Sequence, residues 1–145
     1  MEIYTIGFTK KTAEQFFTLL KNAKIACLMD VRLNNVAQLA GFAKRDDLKF
    51  FLKQICNCEY VHEPLLAPTQ GLLDNYKKAG GPWSEYEHKF LDLMAERKID
   101  EKLDPSIFMT PTALLCSEAT SEHCHRRLIL DYLDTKWSNI TAHHL

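Results

Sequence analysis

Hydrophobic positions along this chain follow two rhythms that alternate. Glu2 to Ile6 alternates polar and apolar β-prone residues, which predicts a first strand that Gly7 breaks. From Thr12 the spacing becomes helical, with Phe16, Phe17, Leu19 and Leu20 on the inner side. Ile25 to Val31 is a nearly continuous apolar run, as expected of a strand covered on both faces, with Asp30 and Arg32 at its carboxyl end. Leu48, Phe51, Leu52 and Ile55 predict a second helix from Asp46 to Cys56, capped by Asp46. Tyr60 to His62 is a short third strand. Pro64 to Thr69 leads into the middle of the chain, and Gly80-Gly81-Pro82 is a break. Trp83, Tyr86, Phe90, Leu93 and Met94 mark an amphipathic helix. Ala113 to Cys116, Ser121 to Leu133 and Asn139 to His143 are expected to be the fourth strand, the last helix and the last strand.

Alternating strands and helices predict an α/β fold. The expectation is a single three-layer domain over residues 1–145, with a mostly parallel sheet of about five strands and helices on both faces. Right-handed crossovers place every strand-to-helix loop on one edge of such a sheet. Gly7-Phe8-Thr9, Asp30-Val31-Arg32, Cys116-Ser117-Glu118 and His62 would meet there. No internal repeat, low-complexity tract or linker interrupts the pattern.

Composition narrows the class. A chain of 145 residues, 46% hydrophobic and 26% charged, suits a globular domain with a sizeable core. Lys+Arg 18 against Asp+Glu 19 leaves a net charge of −1, so no global basic field argues for non-specific nucleic-acid binding. No apolar run approaches the roughly 20 residues that span a bilayer. The start, Met1-Glu2-Ile3-Tyr4, has no signal-peptide pattern, and five cysteines without one point to a reduced, cytoplasmic protein. Cys56-Asn57-Cys58 is read as packing cysteines rather than a metal pair.

Chemistry concentrates in the segment from Leu114 to Arg127. An apolar run ends in Cys116 and Glu118. Thr120 is placed as a helix N-cap, and Glu122 suits the positive first turn. Free N–H groups at such a start attract anions, and Arg126 and Arg32 can add bidentate hydrogen bonds. The competing reading pairs Arg32 with Asp30 or Glu118; Arg127 is assigned to Asp131 at i,i+4. Cys116 is the candidate nucleophile. Helical phasing turns Cys124 and His125 toward packing, with His125 as a hydrogen-bonded anchor of the junction. Zinc has suitable ligand types in Cys116, Glu118, Cys124 and His125, but not a known structural spacing, and no metal is assigned. Residue 122 is glutamate, which excludes the C-x5-R loop of cysteine phosphatases. Gly7 to Thr12 lacks a Walker pattern. Thr9 and Thr5 can contribute hydroxyls, and Gly7 allows close backbone approach. The Trp83–Met94 stripe is read as core, although Tyr76, Trp83 and Tyr86 are also candidates for stacking on a base. His143 and His144 are read as strand-end hydrogen-bonding groups. Lys10-Lys11 and Lys77-Lys78 are read as solvated surface.

These residues resemble the domain of unknown function 488 family. The pieces are Tyr4-Thr5-Ile6-Gly7-Phe8-Thr9, Leu28-Met29-Asp30-Val31-Arg32, and Leu115-Cys116-Ser117-Glu118 followed by Cys124-His125-Arg126. They occur in family order across nearly the whole chain, and C-x-E with a following C-H-R is the specific part. Many members have Leu-Gly-Gly where this chain has Leu66-Ala67-Pro68-Thr69, which looks like a Leu-Ala-Pro-Thr subgroup. The resemblance implies a compact α/β domain and a polar site built from Asp30, Arg32, Cys116, Glu118, Cys124, His125 and Arg126. It implies no settled activity.

The expected function is an enzyme acting on a phosphorylated, nucleotide or nucleic-acid substrate at the carboxyl edge of the sheet. Asp30, Glu118 and Cys116 are the catalytic candidates. Arg32, Arg126 and Thr9 are the anion-binding candidates, and Gly7, Cys124 and His125 the supporting ones. The alternative is a non-catalytic anion- or nucleotide-binding regulatory module; a third reading makes the polar cluster purely structural. The partner is an anionic small molecule or nucleic acid, not a membrane, and no cofactor is specified.

Overall fold

The computed structural model describes residues 1–36, 40–118 and 121–145. Its strands are β1 (Glu2–Gly7), β2 (Cys27–Asp30), β3 (Glu59–His62), β4 (Thr112–Cys116) and β5 (Thr141–His144). They form one parallel sheet in the order β3-β2-β4-β1-β5. The helices are α1 (Ala13–Asn22), α2 (Arg45–Phe51), α3 (Gln70–Lys77), α4 (Trp83–Arg97), α5 (Ile99–Lys102) and α6 (His125–Trp137). No helix among the described residues is long and apolar enough to cross a membrane. The expected α/β sheet with helices on both faces is therefore present.

Side-chain alternation divides the core. Ile6, Leu28, Ala113 and Leu115 join Phe16, Phe17 and Leu20 of α1 and Leu48 of α2. Ile3, Met29 and Leu114 face the other way, toward Phe90 and Met94 of α4 and Leu128 and Ile129 of α6. The period of two along β4 directs Cys116 to the same side as Leu114, beneath α4 and α6.

Several boundaries differ from the sequence expectation, each for a local reason. Thr12 caps α1, and Gln15 completes a capping box, with hydrogen bonds of 3.1 and 2.9 Å. The cap of α2 is Lys44 rather than Asp46, which sits in the first turn beside Arg45. A π-turn at Leu52–Cys56 continues that helix, and left-handed Asn57 ends it. The unpredicted α3 starts at Thr69, whose Oγ1 accepts from the Leu72 amide at 3.1 Å. Helix α6 begins at His125, not Ser121, because Cys124 is extended at φ −139° and ψ 140°. The expected cap Thr120 lies outside the described residues. Ser138 and Asn139 both have positive φ, so the turn occupies the expected start of the last strand and β5 begins at Thr141.

Gly7 closes β1 against the loop after β4. A Cβ there would lie 1.6 Å from the Glu118 carbonyl oxygen and 2.4 Å from Arg126 Nη1. Backbone cannot yield as a side-chain tip can, so only glycine fits. The Thr9 amide donates to the Ser117 carbonyl at 3.0 Å and ties the same two loops together. Gly7→Ala is expected to cost on the order of 3 kcal/mol or more, whereas Thr12→Ala should cost about 1 kcal/mol. Urea unfolding of the two variants beside the parent chain measures the difference.

Candidate active site

Cys116 ends β4 with its side chain almost wholly buried, 4% exposed. Its Sγ lies 3.5 Å from His125 Nδ1. His125 Nε2 lies 2.8 Å from the Val31 carbonyl oxygen. A carbonyl only accepts, so Nε2 carries hydrogen and Nδ1 faces the sulfur. Burial by itself would raise the Cys116 thiol. It is outweighed by a hydrogen bond from Cys124, the charge and hydrogen bond of His125, and the Glu118 amide, which hold the thiol well below its ordinary value. Burial likewise disfavours the imidazolium, but the Cys116 charge and hydrogen bond and the Val31 bond raise His125. Cys124 moves the opposite way: burial, then the Cys116 hydrogen bond and charge, keep it protonated. The positive end of α6, which starts at His125, adds to the field that favours a thiolate. Each partner thus shifts the other toward its charged form, the thiol downward and the imidazole upward.

The couple forms the floor of a cleft of about 210 Å3. Tyr76, Trp83, Tyr86 and His123 line one side of it. Trp83 stacks on Tyr86 and on His123, with ring centroids 5.1 and 5.0 Å apart. Lys77 and Glu118 stand at the rim and pair at 2.5 Å. Arg32 and Asn34 also line the cleft. The Trp83–Tyr86 face of α4 therefore belongs partly to the cleft, whereas Phe90 and Met94 are core. The sequence pattern predicts Lys77 as solvated surface. It remains half exposed, but its ammonium is bound to Glu118.

Of the remaining sequence candidates, Asp30, Arg32 and Arg126 are buried and Thr9 is exposed. Asp30 is fully buried and accepts from Arg32 Nε at 2.8 Å, Arg32 Nη2 at 2.8 Å and the Arg32 amide at 3.1 Å. Tyr60 donates to the same carboxylate at 2.5 Å. The third guanidinium nitrogen, Arg32 Nη1, donates to the Ala43 carbonyl at 2.7 Å, and the group lies over the Phe8 ring. Arg126 is also fully buried; Nη1 donates to the Glu118 carbonyl at 2.7 Å, while Nε and Nη2 meet no acceptor among the described residues. Arg126, Asp30, Gly7 and Thr9 do not line the cleft; Cys116, Glu118, Cys124, His125 and Arg32 do. The expected Arg127–Asp131 pair is present at 3.1 Å.

Signals missed in the sequence were of two kinds. The Val31 carbonyl is backbone and carries no residue signature. His123 and Lys77 gain meaning only when α3 and α4 bring an aromatic wall to the β4 loop. The sulfurs of Cys116 and Cys124 and a ring nitrogen of His125 lie within 4.8 Å of one another, close enough to share a soft metal ion. Glu118, which would complete a fourfold set, is held by Lys77.

Fold and site together define a parallel α/β domain with a cysteine–histidine cleft at the carboxyl edge of its sheet. The chain belongs to the family described as domain of unknown function DUF488, which it matches over residues 12–133. No curated protein and no solved structure matches it.

The Asp30–Arg32 pair has a direct consequence for stability. Burial raises the Asp30 carboxyl, but the Arg32 hydrogen bonds and charge, with Tyr60, bring it below the usual range. A depressed folded value means stability that is present above the unfolded value of about 4 and lost as pH falls through the folded one. Asp30→Asn leaves Arg32 without its counter-charge and is expected to cost about 3–5 kcal/mol at neutral pH. Denaturant unfolding at stepped pH should show that gap narrowing below about pH 4.

Proposed function

We propose that this protein is an enzyme that works by covalent catalysis, with Cys116 as nucleophile and His125 as its acid–base partner. The observation that carries the reading is the 3.5 Å approach of Cys116 Sγ to His125 Nδ1, with Nε2 fixed on the Val31 carbonyl. A nucleophile, a base and a group orienting the base form the arrangement that activates thiols. The thiolate attacks an electrophilic carbon of the substrate, and the imidazolium returns its proton to the departing group.

The cleft supports a nucleotide-type substrate, or an exposed base of a nucleic acid. Aromatic rings offer stacking to a planar heterocycle. A volume near 210 Å3 is below the roughly 300 Å3 at which drug-sized pockets begin, so the cleft accepts one ring system rather than a dinucleotide. Lys77 at the rim suits a phosphate. In this reading Glu118 sets the position of Lys77 and is the nearest carboxylate to the substrate. Asp30, Arg32 and Arg126 hold the loops that carry the couple, and Cys124 donates its S–H to the nucleophile. The free cysteines suit a reducing, cytoplasmic setting.

Iodoacetamide alkylation of Cys116 across pH is the first test. The rate should already be near its plateau below pH 7, whereas an ordinary thiol gains rate up to about pH 8.5. His125→Ala should slow it at least about tenfold at neutral pH and move the profile toward that of a free thiol. Nucleosides and nucleoside monophosphates should raise the melting temperature, and Trp83→Ala should abolish the shift. An alkylation profile equal to that of an unperturbed thiol would end the catalytic reading. Ligand binding without turnover, unaffected by Cys116→Ser, would replace it with a binding module.

A further inference from the structure

The cleft holds a second thiol for which nucleophilic catalysis has no covalent use. Cys124 is 2% exposed. Its sulfur lies with that of Cys116 and a ring nitrogen of His125 in a cluster no wider than 4.8 Å. It is the extended residue before α6, so its side chain is set by the start of the helix rather than carried on it. The other cysteines lie elsewhere: Cys58 packs on the α1 and α2 face, and Cys56 donates to the Phe17 carbonyl. Burial, together with nearby Cys27, Cys56 and Glu59, pushes the Cys58 thiol up to about 12, which leaves it inert.

Oxidants attack thiolates, and a thiol placed beside the oxidised sulfur captures it as a disulfide. We propose that Cys116 and Cys124 are a redox pair, in which a hydroperoxide oxidises Cys116 and Cys124 resolves it as an intramolecular disulfide. This inference rests on the nucleophilic reading of Cys116. In the first step the Cys116 thiolate attacks the distal peroxide oxygen. An S–O bond forms, the O–O bond breaks, and the departing alkoxide or hydroxide takes a proton from His125. Cys116 is then a sulfenic acid and the hydroperoxide has been reduced to an alcohol or water. In the second step the Cys124 sulfur attacks the sulfenic sulfur, the S–S bond forms, and hydroxide leaves with the Cys124 proton as water. The thiols lose one electron pair to the peroxide. An external dithiol returns it by exchange.

The sulfurs must close from at most 4.8 Å to about 2.05 Å. The chain between them begins with the loop at Ser117 and Glu118 and includes no strand or helix among its described residues. Forming the bond consumes the nucleophile and removes the partner of the imidazolium. The pair would therefore protect Cys116 from irreversible oxidation and switch its chemistry off until reduction.

The test uses the full chain, reduced and then exposed to hydrogen peroxide. Trypsin cleaves after Lys102 and Arg126, so one peptide, Leu103 to Arg126, carries both sulfurs and no other cysteine. Its mass should fall by a pair of hydrogens and recover with dithiothreitol. In Cys124→Ala the same peptide should gain a pair of oxygens instead, with permanent loss of iodoacetamide reactivity at Cys116. Equal rates of irreversible oxidation in the parent and in Cys124→Ala, with rapid alkylation of both, would overturn the redox pair and leave the nucleophile standing. Slow alkylation of the reduced parent would overturn the nucleophile as well. Elemental analysis showing one zinc per chain, with both thiols blocked until chelation, would overturn the pair in favour of a metal site.

Discussion

One imidazole holds the functional edge together. His125 opens α6, donates through Nε2 to the carbonyl of Val31, the residue after β2, and meets the end of β4 through Nδ1 at Cys116. Adjacent parallel strands and the helix that returns from them are thereby joined at a single ring. Both ring nitrogens are committed, so the tautomer and orientation are determined by backbone geometry rather than by solvent. Burial would ordinarily strip a histidine of its charge and a thiol of its acidity. Placing the two together reverses both tendencies, because each supplies the counter-charge that the other lacks.

That arrangement needs the neighbouring loops to stay close. Gly7 lets the Glu118 carbonyl lie against β1, and Arg126 uses the same carbonyl as an acceptor. On the other flank, the Asp30 carboxylate gathers Arg32 and Tyr60, while Arg32 reaches the Ala43 carbonyl. Buried ion pairs of this kind add little net stability over apolar residues of similar size, but removing one partner is costly. Their contribution here is positional. They hold the loops after β1 and β2 around the cysteine–histidine couple while leaving few of their own polar atoms to meet a substrate.

The cleft above the couple takes its character from a different part of the chain. Helices α3 and α4 supply Tyr76, Trp83 and Tyr86, and the turn before α6 supplies His123. Under the proposed function, a thiol at the floor and planar surfaces along the wall would suit a flat, electrophilic substrate. The Lys77–Glu118 pair adds a polar element to the lining of the cleft. Cys124 stands in the same cleft as a protonated neighbour of Cys116, and in the chemistry proposed above that sulfur contact would link catalysis to oxidation state.

Much of the architecture was legible in local pattern. The alternation of Glu2 to Ile6, the apolar run through Leu28 and Val31, and the approach to Cys116 each define a strand whose end carries polar residues. Their common edge follows from the handedness of parallel crossovers. The pairing of Asp30 with Arg32 was also available, because the two residues are neighbours on one strand end. What local pattern could not carry was the assignment of roles among Cys116, Cys124, His125 and Arg126. Helical phasing counted back to Ser121 turned Cys124 and His125 toward packing; both are buried and His125 is hydrogen-bonded to Val31, although the helix starts only at His125. Extended Cys124 sets that start, and the His125 ring then meets the carbonyl of Val31, just past β2. The sequence by itself determined which strand ends would meet and which reactive side chains they bore. Only the tertiary structure decided which of them would share a proton, because burial and counter-charge depend on neighbours from β2, β4 and α6 that are far apart along the chain.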